Sequence, residues 1–331
     1  MDTENRLPMY EMSISVRATW QAHSLSNAGT NGSIRLLPRR QLLADGTETD
    51  ACSGNIAKHH HAVLVAEYFE ASGIPLCPAC ASRDGRRAFA LVGVPGYEKL
   101  TIDRILTECA LCDAHGFLVT AKNAASDGSS EARQRISKHS LIEFSFALAL
   151  PDHHAETVQL VTRSGDSKED GQMLMKMPAR SGDYALCVRY KSVGVGIDTD
   201  KWSIVVSNRQ ERLRRHRAIL SALRDQLLSP DGALTATMLP HLTGLVGAVV
   251  VRSSVGRAPL YSALEPEFTT RLGAMASTAC KVFPFESVDA FNALMNDLIA
   301  RSMPCLPVSP RASPGTTSTA KPSRAKRARR R

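Results

Sequence analysis

Cys77 and Cys80 form one C-x-x-C pair, and Cys109 and Cys112 form a second. Two thiolates at this spacing can grip one tetrahedral ion, and the second pair completes a four-thiolate set. The 28 residues between the pairs are easily looped. Such a site has no open coordination position, so zinc bound there is structural rather than catalytic. Four reduced thiols, or a redox-active pair, are the alternatives; no thioredoxin-like context surrounds either pair. Cys52, Cys187, Cys280 and Cys305 are scattered, and without a secretion signal disulfides are not expected.

A second group of residues suits anion binding. Ser53-Gly54-Asn55 opens a predicted helix carrying Lys58, His59, His60 and His61. Free N–H groups, a glycine and cations one turn on can hold a phosphate. Consecutive helical residues point about 100° apart, so the three histidines cannot converge on one metal ion. Lys58 and His61 share a face at i, i+3. Arg35, Arg39 and Arg40 cluster before Asp45-Gly46, and arginine forks also suit phosphates. The competing reading of both groups is ordinary solvated charge. Met173, Met175 and Met177 alternate within GQMLMKMPARSG, as a packed strand or as apolar wedges against bases. The glycines around Arg257 match no phosphate loop, and no paired carboxylates, H-E-x-x-H or nucleophile elbow is present. The chain is not expected to be an enzyme.

The elements that must position these groups are a strand over 12–19, a helix over 53–72, strands over 142–150, 184–190 and 202–206, a helix over 208–228, a strand over 246–251 and a helix over 287–301. In the first strand Met12, Ile14 and Val16 alternate with Ser13, Ser15 and Arg17. Leu213, Leu220, Leu223 and Leu227 supply the apolar stripe of the 208–228 helix, with Arg212, Arg214, Arg215 and Arg217 on its remaining surface. Residues 1–8 read as a loose start and 121–138 as a mobile loop. The fold class is α+β, with the βαββαβ order of a ferredoxin-like RNA-recognition module. Residues 1–304 form one domain with insertions at 73–138 (the Cys pairs) and 152–182, and 305–331 form a disordered basic tail.

Seven Lys or Arg and no acid fall within 312–331, so of the net charge of +9 only +2 belongs to the preceding 311 residues. A nucleic-acid interface on the body must therefore come from local clustering. No apolar run approaches the roughly 18 residues of a membrane span. The start, MDTENRLP, lacks a signal-peptide pattern, so the expected location is the cytoplasm, without membrane contact.

Three segments carry a family resemblance: SISVRATWQAHSLSNAGTNG, LADGTETDACSGNIAKHHHA and QMLMKMPARSGDYALCVRY. Together, over roughly Tyr10 to Leu264, the chain resembles the Cas-seven (DevR/Csa-type) family, the backbone subunits of type I CRISPR Cascade complexes. The resemblance implies a modified RNA-recognition palm with a thumb hairpin. It implies copies stacked in a helical filament along one CRISPR RNA, presenting it to target DNA beside other Cascade subunits. Carried over, Asn27, Arg39 and Arg40 line the guide groove. Ser53, Gly54, Asn55, Lys58, His59 and His61 face its phosphates. Gln172, Met173, Met175 and Arg180 belong to the thumb or its base, and Arg257 also faces RNA. Guide pairing reads sequence in such complexes, so the protein needs only backbone contacts and apolar wedges. The Cys pairs and the tail depart from the minimal family pattern. An operon autoregulator binding duplex DNA and an RNA-processing nuclease are the alternatives.

Overall fold

Alternation from Met12 onward produces the central strand of an antiparallel sheet. The computed structural model describes residues 6–32, 36–122, 133–163 and 173–307. In chain order these contain β1 (Leu7–Met9), β2 (Glu11–His23), β3 (Arg40–Leu42), β4 (Glu48–Cys52) and α1 (Gly54–Ala71). The cysteine region holds α2 (Pro78–Ala81), a 3-10 turn (Arg87–Leu91), α3 (Ile102–Glu108) and α4 (Ala110–His115), then β5 (Phe117–Lys122) and β6 (Arg133–Lys138). There follow β7 (Ile142–Phe144), β8 (Ala147–Arg163), β9 (Met173–Tyr190), β10 (Ile197–Asp198), β11 (Ser203–Ile204) and α5 (Arg209–Leu228). The last elements are β12 (His241–Arg252), α6 (Phe268–Gly273), β13 (Cys280–Phe285), α7 (Val288–Arg301) and β14 (Ser302–Pro304).

The main sheet runs β13-β12-β2-β9-β8-β4-β3, and β7 pairs with β9 beside β8. Met12, Ile14, Val16, Ala18 and Trp20 of β2 join the core shared with α1, α5 and α7. Ser13 and Arg17 face the other way and bond to the carbonyls of Pro259 and Ala263, in the segment that crosses that side of the sheet. The three long helices start at polar caps. Ser53 Oγ accepts from the Asn55 N–H, Asn208 Oδ1 from those of Gln210 and Glu211, and Ser287 Oγ from that of Ala290. Beyond its cap, α1 buries Ala62, Val65, Ala66 and Phe69 against α5. A fully buried side chain the size of Phe69 contributes about 1.5–3 kcal/mol. An exposed ion pair such as Arg83–Glu70 adds under about 1 kcal/mol, so the apolar stripe and not the surface charge holds α1 in place.

Several expectations need correction. Leu7–Met9 is no loose start; it pairs in parallel with Ser302–Pro304. Of the loop expected at 121–138, both ends belong to the β5–β6 hairpin, while 123–132 lie outside the described residues. The excursion expected at 152–182 is strand on both sides: β8 and β9 pair from Leu148↔Ala185 out to Arg163↔Met173. Of the strand expected at 202–206 only Ser203–Ile204 pairs. Arg212 and Arg215, expected on the surface of α5, are buried. The tail from 308 onward lies outside the described residues.

Those two arginines are buried because carboxylate and carbonyl groups meet them. Asp113, on α4, bonds to Lys138 Nζ, to Arg215 Nη1 at 3.1 Å and to the Gly196 N–H at 2.8 Å. Arg215 also reaches Glu211 and the Leu106 carbonyl, and Arg212 reaches the Val195 carbonyl. This network fastens the cysteine region to α5 and to the turn after β9. Truncating one partner of a buried charge network leaves the others uncompensated. Asp113→Ala should therefore lose about 3–5 kcal/mol of unfolding free energy in urea denaturation. A loss below about 1 kcal/mol would mean that the surrounding carbonyls suffice for Lys138 and Arg215.

Candidate functional site

The three resemblance segments meet at Asp50, a carboxylate with 1% exposure on β4. Arg180 Nη1 donates to its Oδ1 at 3.0 Å and Tyr184 Oη to its Oδ2 at 2.6 Å. The other end of the Arg180 fork bonds to the Ser26 carbonyl and Ser24 Oγ. Ser26 Oγ in turn accepts from Arg39 Nε at 3.2 Å, and Arg39 Nη2 donates to the Asn27 carbonyl at 2.9 Å. The Ser53 N–H reaches Ser26 Oγ as well. One buried carboxylate thus ties together the end of β2, the loop after it, β4, the start of α1 and β9.

Local irregularities make this convergence possible. The β2–β9 register shifts between Trp20 and His23, where Ala22 takes a left-handed φ of 54° and donates its N–H to Ser181 Oγ. The β8–β9 register shifts between Ala149 and His154. Bulges on both sides of Arg180-Ser181-Gly182 turn His23 inward, against the Tyr184 ring at 4.9 Å. Burial, then the neighbouring Arg180, pushes the His23 pKa down to about 4. Gly54 is required by packing: a Cβ there would stand 2.6 Å from the carbonyl oxygens of both Phe144 and Ser145.

The positions of the predicted site residues divide. Asn27, Arg39, Arg40, Ser53, Gly54 and Lys58 are half-buried, and Asn55 and His59 are exposed. They border one another around the loop after β2 and the start of α1. Arg40 is bonded to Glu156 of β8 at 2.5 Å. Three placements correct the sequence reading. His61 is fully buried; its Nδ1 lies 2.9 Å from His115 Nε2 and its Nε2 3.4 Å from the Ile219 carbonyl. Burial lowers its pKa to about 3, so it offers no cation to a phosphate. Arg180 is spent on Asp50. Met175 is 7% exposed and packs inward. Met173 opens β9, and Gln172 lies outside the described residues, as does Arg35. Arg257 stands apart, paired with Glu11 at 3.1 Å.

Two groups were missed. Asp50 is one of three acids, with Asp45 and Glu48, in a polar stretch, and only the later partners Arg180 and Tyr184 reveal its role. Val158 and Leu160, 53% and 64% exposed, share one face of β8, so among the described side chains the exposed apolar side of the β8–β9 ribbon is on β8 rather than at Met175 or Met177.

The cysteines do converge. Sγ atoms of Cys77, Cys80, Cys109 and Cys112 all lie within 4.8 Å of one another, and all four residues are buried. Cys77 directly precedes α2, Cys109 Sγ caps α4 by accepting from the Cys112 N–H, and Ala110 N–H donates to the Pro75 carbonyl at 2.9 Å, bringing the two turns together. Gly116, with φ of 73°, lets the chain turn from α4 into β5; a Cβ would sit 2.4 Å from the Lys138 carbonyl oxygen. No described helix is long and apolar enough to cross a membrane.

A family model described as CRISPR-associated negative auto-regulator DevR/Csa2 matches residues 14–264. No curated protein matches the chain. Among solved structures, it is similar to a chain of a "CRISPR RNA-guided surveillance complex, pre-nicking", with 14% identity, a TM-score of 0.47 and coverage of 88% of this chain and 99% of that one. A chain of another "CRISPR RNA-guided surveillance complex" has 13% identity, a TM-score of 0.44 and coverage of 87% and 98%. Csc2 of Thermofilum pendens has 12% identity, a TM-score of 0.36 and coverage of 89% and 87%.

Burial holds His23, His61 and His216 at about 4, 3 and 3, below the 6.5 of an ordinary histidine. Between pH 6.5 and those values the unfolded chain binds more protons than the folded one. Stability that is complete above pH 6.5 is therefore lost as the pH falls, by about 1 kcal/mol per histidine between pH 6.5 and 5.5. Urea midpoints at the two pH values check this, and a flat profile would contradict it. Gly54→Ala should cost about 1–3 kcal/mol by overpacking, measured in the same way.

Proposed function

Since the chain belongs to the DevR/Csa2 family of CRISPR-associated proteins, we propose that it is an RNA-binding backbone subunit of a type I Cascade-like complex. Copies polymerise along the guide RNA and present it for pairing with target DNA. The observation that carries this reading is the family match over 14–264, which takes in all three segments converging on Asp50. Around that carboxylate, Asn27, Arg39, Arg40, Ser53, Asn55, Lys58 and His59 line the guide groove. A side chain held on a rigid buried network loses little entropy when it grips a phosphate.

The sheet order β12-β2-β9-β8, with α1 and α5 on one face, supports reading the fold as a modified RNA-recognition palm. The β8–β9 ribbon supports a thumb, with Val158 and Leu160 as its apolar wedge. Such contacts tolerate any spacer sequence, and many weak ones along a filament give avidity. Target DNA, other Cascade subunits and a cytoplasmic location go with this role, and no catalytic step is assigned to the chain.

The four cysteines hold zinc in this reading. A tetrahedral ion with Zn–S bonds of about 2.3 Å requires sulfurs roughly 3.8 Å apart. The Cys80–Cys112 separation of 3.6 Å and the outer limit of 4.8 Å for the set suit that spacing. Burial, with thiols meeting one another, fits a metal-neutralised centre. Zinc there supplies charge neutralisation and a cross-link between the α2 and α4 turns.

The family's description as a negative auto-regulator favours one second reading, sequence-specific binding of an operator duplex. One experiment separates the two. The protein is purified with its neighbouring gene products, and the bound nucleic acid is extracted and sequenced. Short RNAs sharing a repeat-derived handle on a high-mass particle are expected. An RNA-free protein that selects one duplex sequence would establish the regulator instead. Elemental analysis should give one zinc per chain, with Cys77→Ser and Cys109→Ser together releasing it and lowering the melting temperature. A metal-free, fully folded wild type would overturn the zinc assignment.

A further inference from the structure

The cysteine region sends one side chain back to the helix that opens the guide groove. Arg87 begins the 3-10 turn after Cys77 and Cys80, and its Nη1 donates to the Gly116 carbonyl at 3.3 Å. Gly116 follows His115, whose Nε2 is 2.9 Å from His61 Nδ1. His61 is three residues beyond Lys58 on the same face of α1. This chain of contacts sets the Arg87 side chain beside the His61–His115 pair, whose His61 lies one helical turn from Lys58.

The electrostatics agree with that placement. Both cations are felt at His115, which burial, His61, Arg87 and Lys58 together hold well below the ordinary histidine value. Lys58 itself is lowered, first by burial and then by Arg87. Neither side chain forms an ion pair with a carboxylate among the described residues. Glu143, the acid that does act on Lys58, is bonded to Arg189 at 2.9 Å. The histidines between the two cations are buried and neutral, and His115 Nδ1 has no partner among the described residues. Two like charges held together beside a neutral wall repel each other, and an anion bridging them would remove that cost.

We propose that Lys58 and Arg87 form a phosphodiester-binding subsite for the guide RNA backbone, built jointly by α1 and the cysteine region. It rests on the guide-binding reading and deepens it. The region at 73–138 then contributes a nucleic-acid contact, and its four-cysteine centre has the further task of holding Arg87 in register with α1. A guanidinium fork and an ammonium at one position take two oxygens of a phosphate without reading a base.

Binding of a labelled single-stranded RNA oligonucleotide to the full chain, measured over a range of salt concentrations, tests this. Lys58→Gln and Arg87→Gln should each weaken binding, roughly 3- to 10-fold at physiological salt. Each should also make the slope of log affinity against log salt shallower by about 0.7. Arg87→Lys should recover most of the affinity, which a purely structural role for the Gly116 contact would not predict. Melting temperatures identify any variant that fails to fold. Folded variants with wild-type affinity and slope, in a wild type that binds RNA, would overturn this subsite alone. A wild type that binds no RNA would overturn the guide reading and the subsite with it.

Discussion

A carboxylate removed from water must be met by charge and hydrogen bonds, and at Asp50 that requirement organises the molecule around the site. The desolvation of an isolated ionised carboxylate would cost many kcal/mol. Its partners Arg180 and Tyr184 lie on β9, with no direct strand pairing between β9 and β4. To deliver Arg180, both neighbours of β9 break register, and β2 accepts a left-handed Ala22. Nη2 of Arg180 then captures Ser24 and Ser26, so the loop after β2 is held by the same fork. Arg39 joins through Ser26. Asn27, Arg39 and Ser53 are therefore placed by a buried polar network, which has a narrower set of allowed geometries than apolar packing.

A second buried carboxylate does the equivalent work for the cysteine region. The six-residue helix α4 carries Cys112, Asp113 and His115, one each for the thiol cluster, the tie to α5 and the contact with α1. So short a helix has little stability of its own. Its conformation comes from these three attachments and from Gly116 behind it. Displacement of the cysteine cluster would reach α1 through a single turn of chain, which links this region to the start of that helix.

The sequence was most informative where periodicity and caps decide. The strand from Met12, the helix after Ser53, the helix after Asn208 and the helix after Ser287 all formed close to the positions read from apolar spacing and polar caps. The α+β class followed from their order. Strand ends were harder to read: β8 and β9 run far into a polar stretch that looked like loop, because pairing with each other satisfies their backbones without the need to bury an apolar face there. Arg212 and Arg215 looked like surface because charge is normally solvated; their burial is tolerable because distant groups meet them, Asp113 and the Leu106 carbonyl for Arg215, the Val195 and Cys305 carbonyls for Arg212.

By itself, the sequence determined the cysteine set, the helix starts and the family. Each depends on residue type at short spacing, which a linear chain displays directly: C-x-x-C brings two thiols together, and a serine or asparagine caps the helix beside it. Tertiary structure alone decided which motif residues face outward. Lys58 and His61 share a helical face, yet one is half-exposed and the other is sealed against His115 and Ile219. Arg39 and Arg180 look alike in the sequence, yet Arg180 is consumed by Asp50. The physical reason is that a side chain's availability depends on the charge and volume packed against it, and those come from segments far away in the chain.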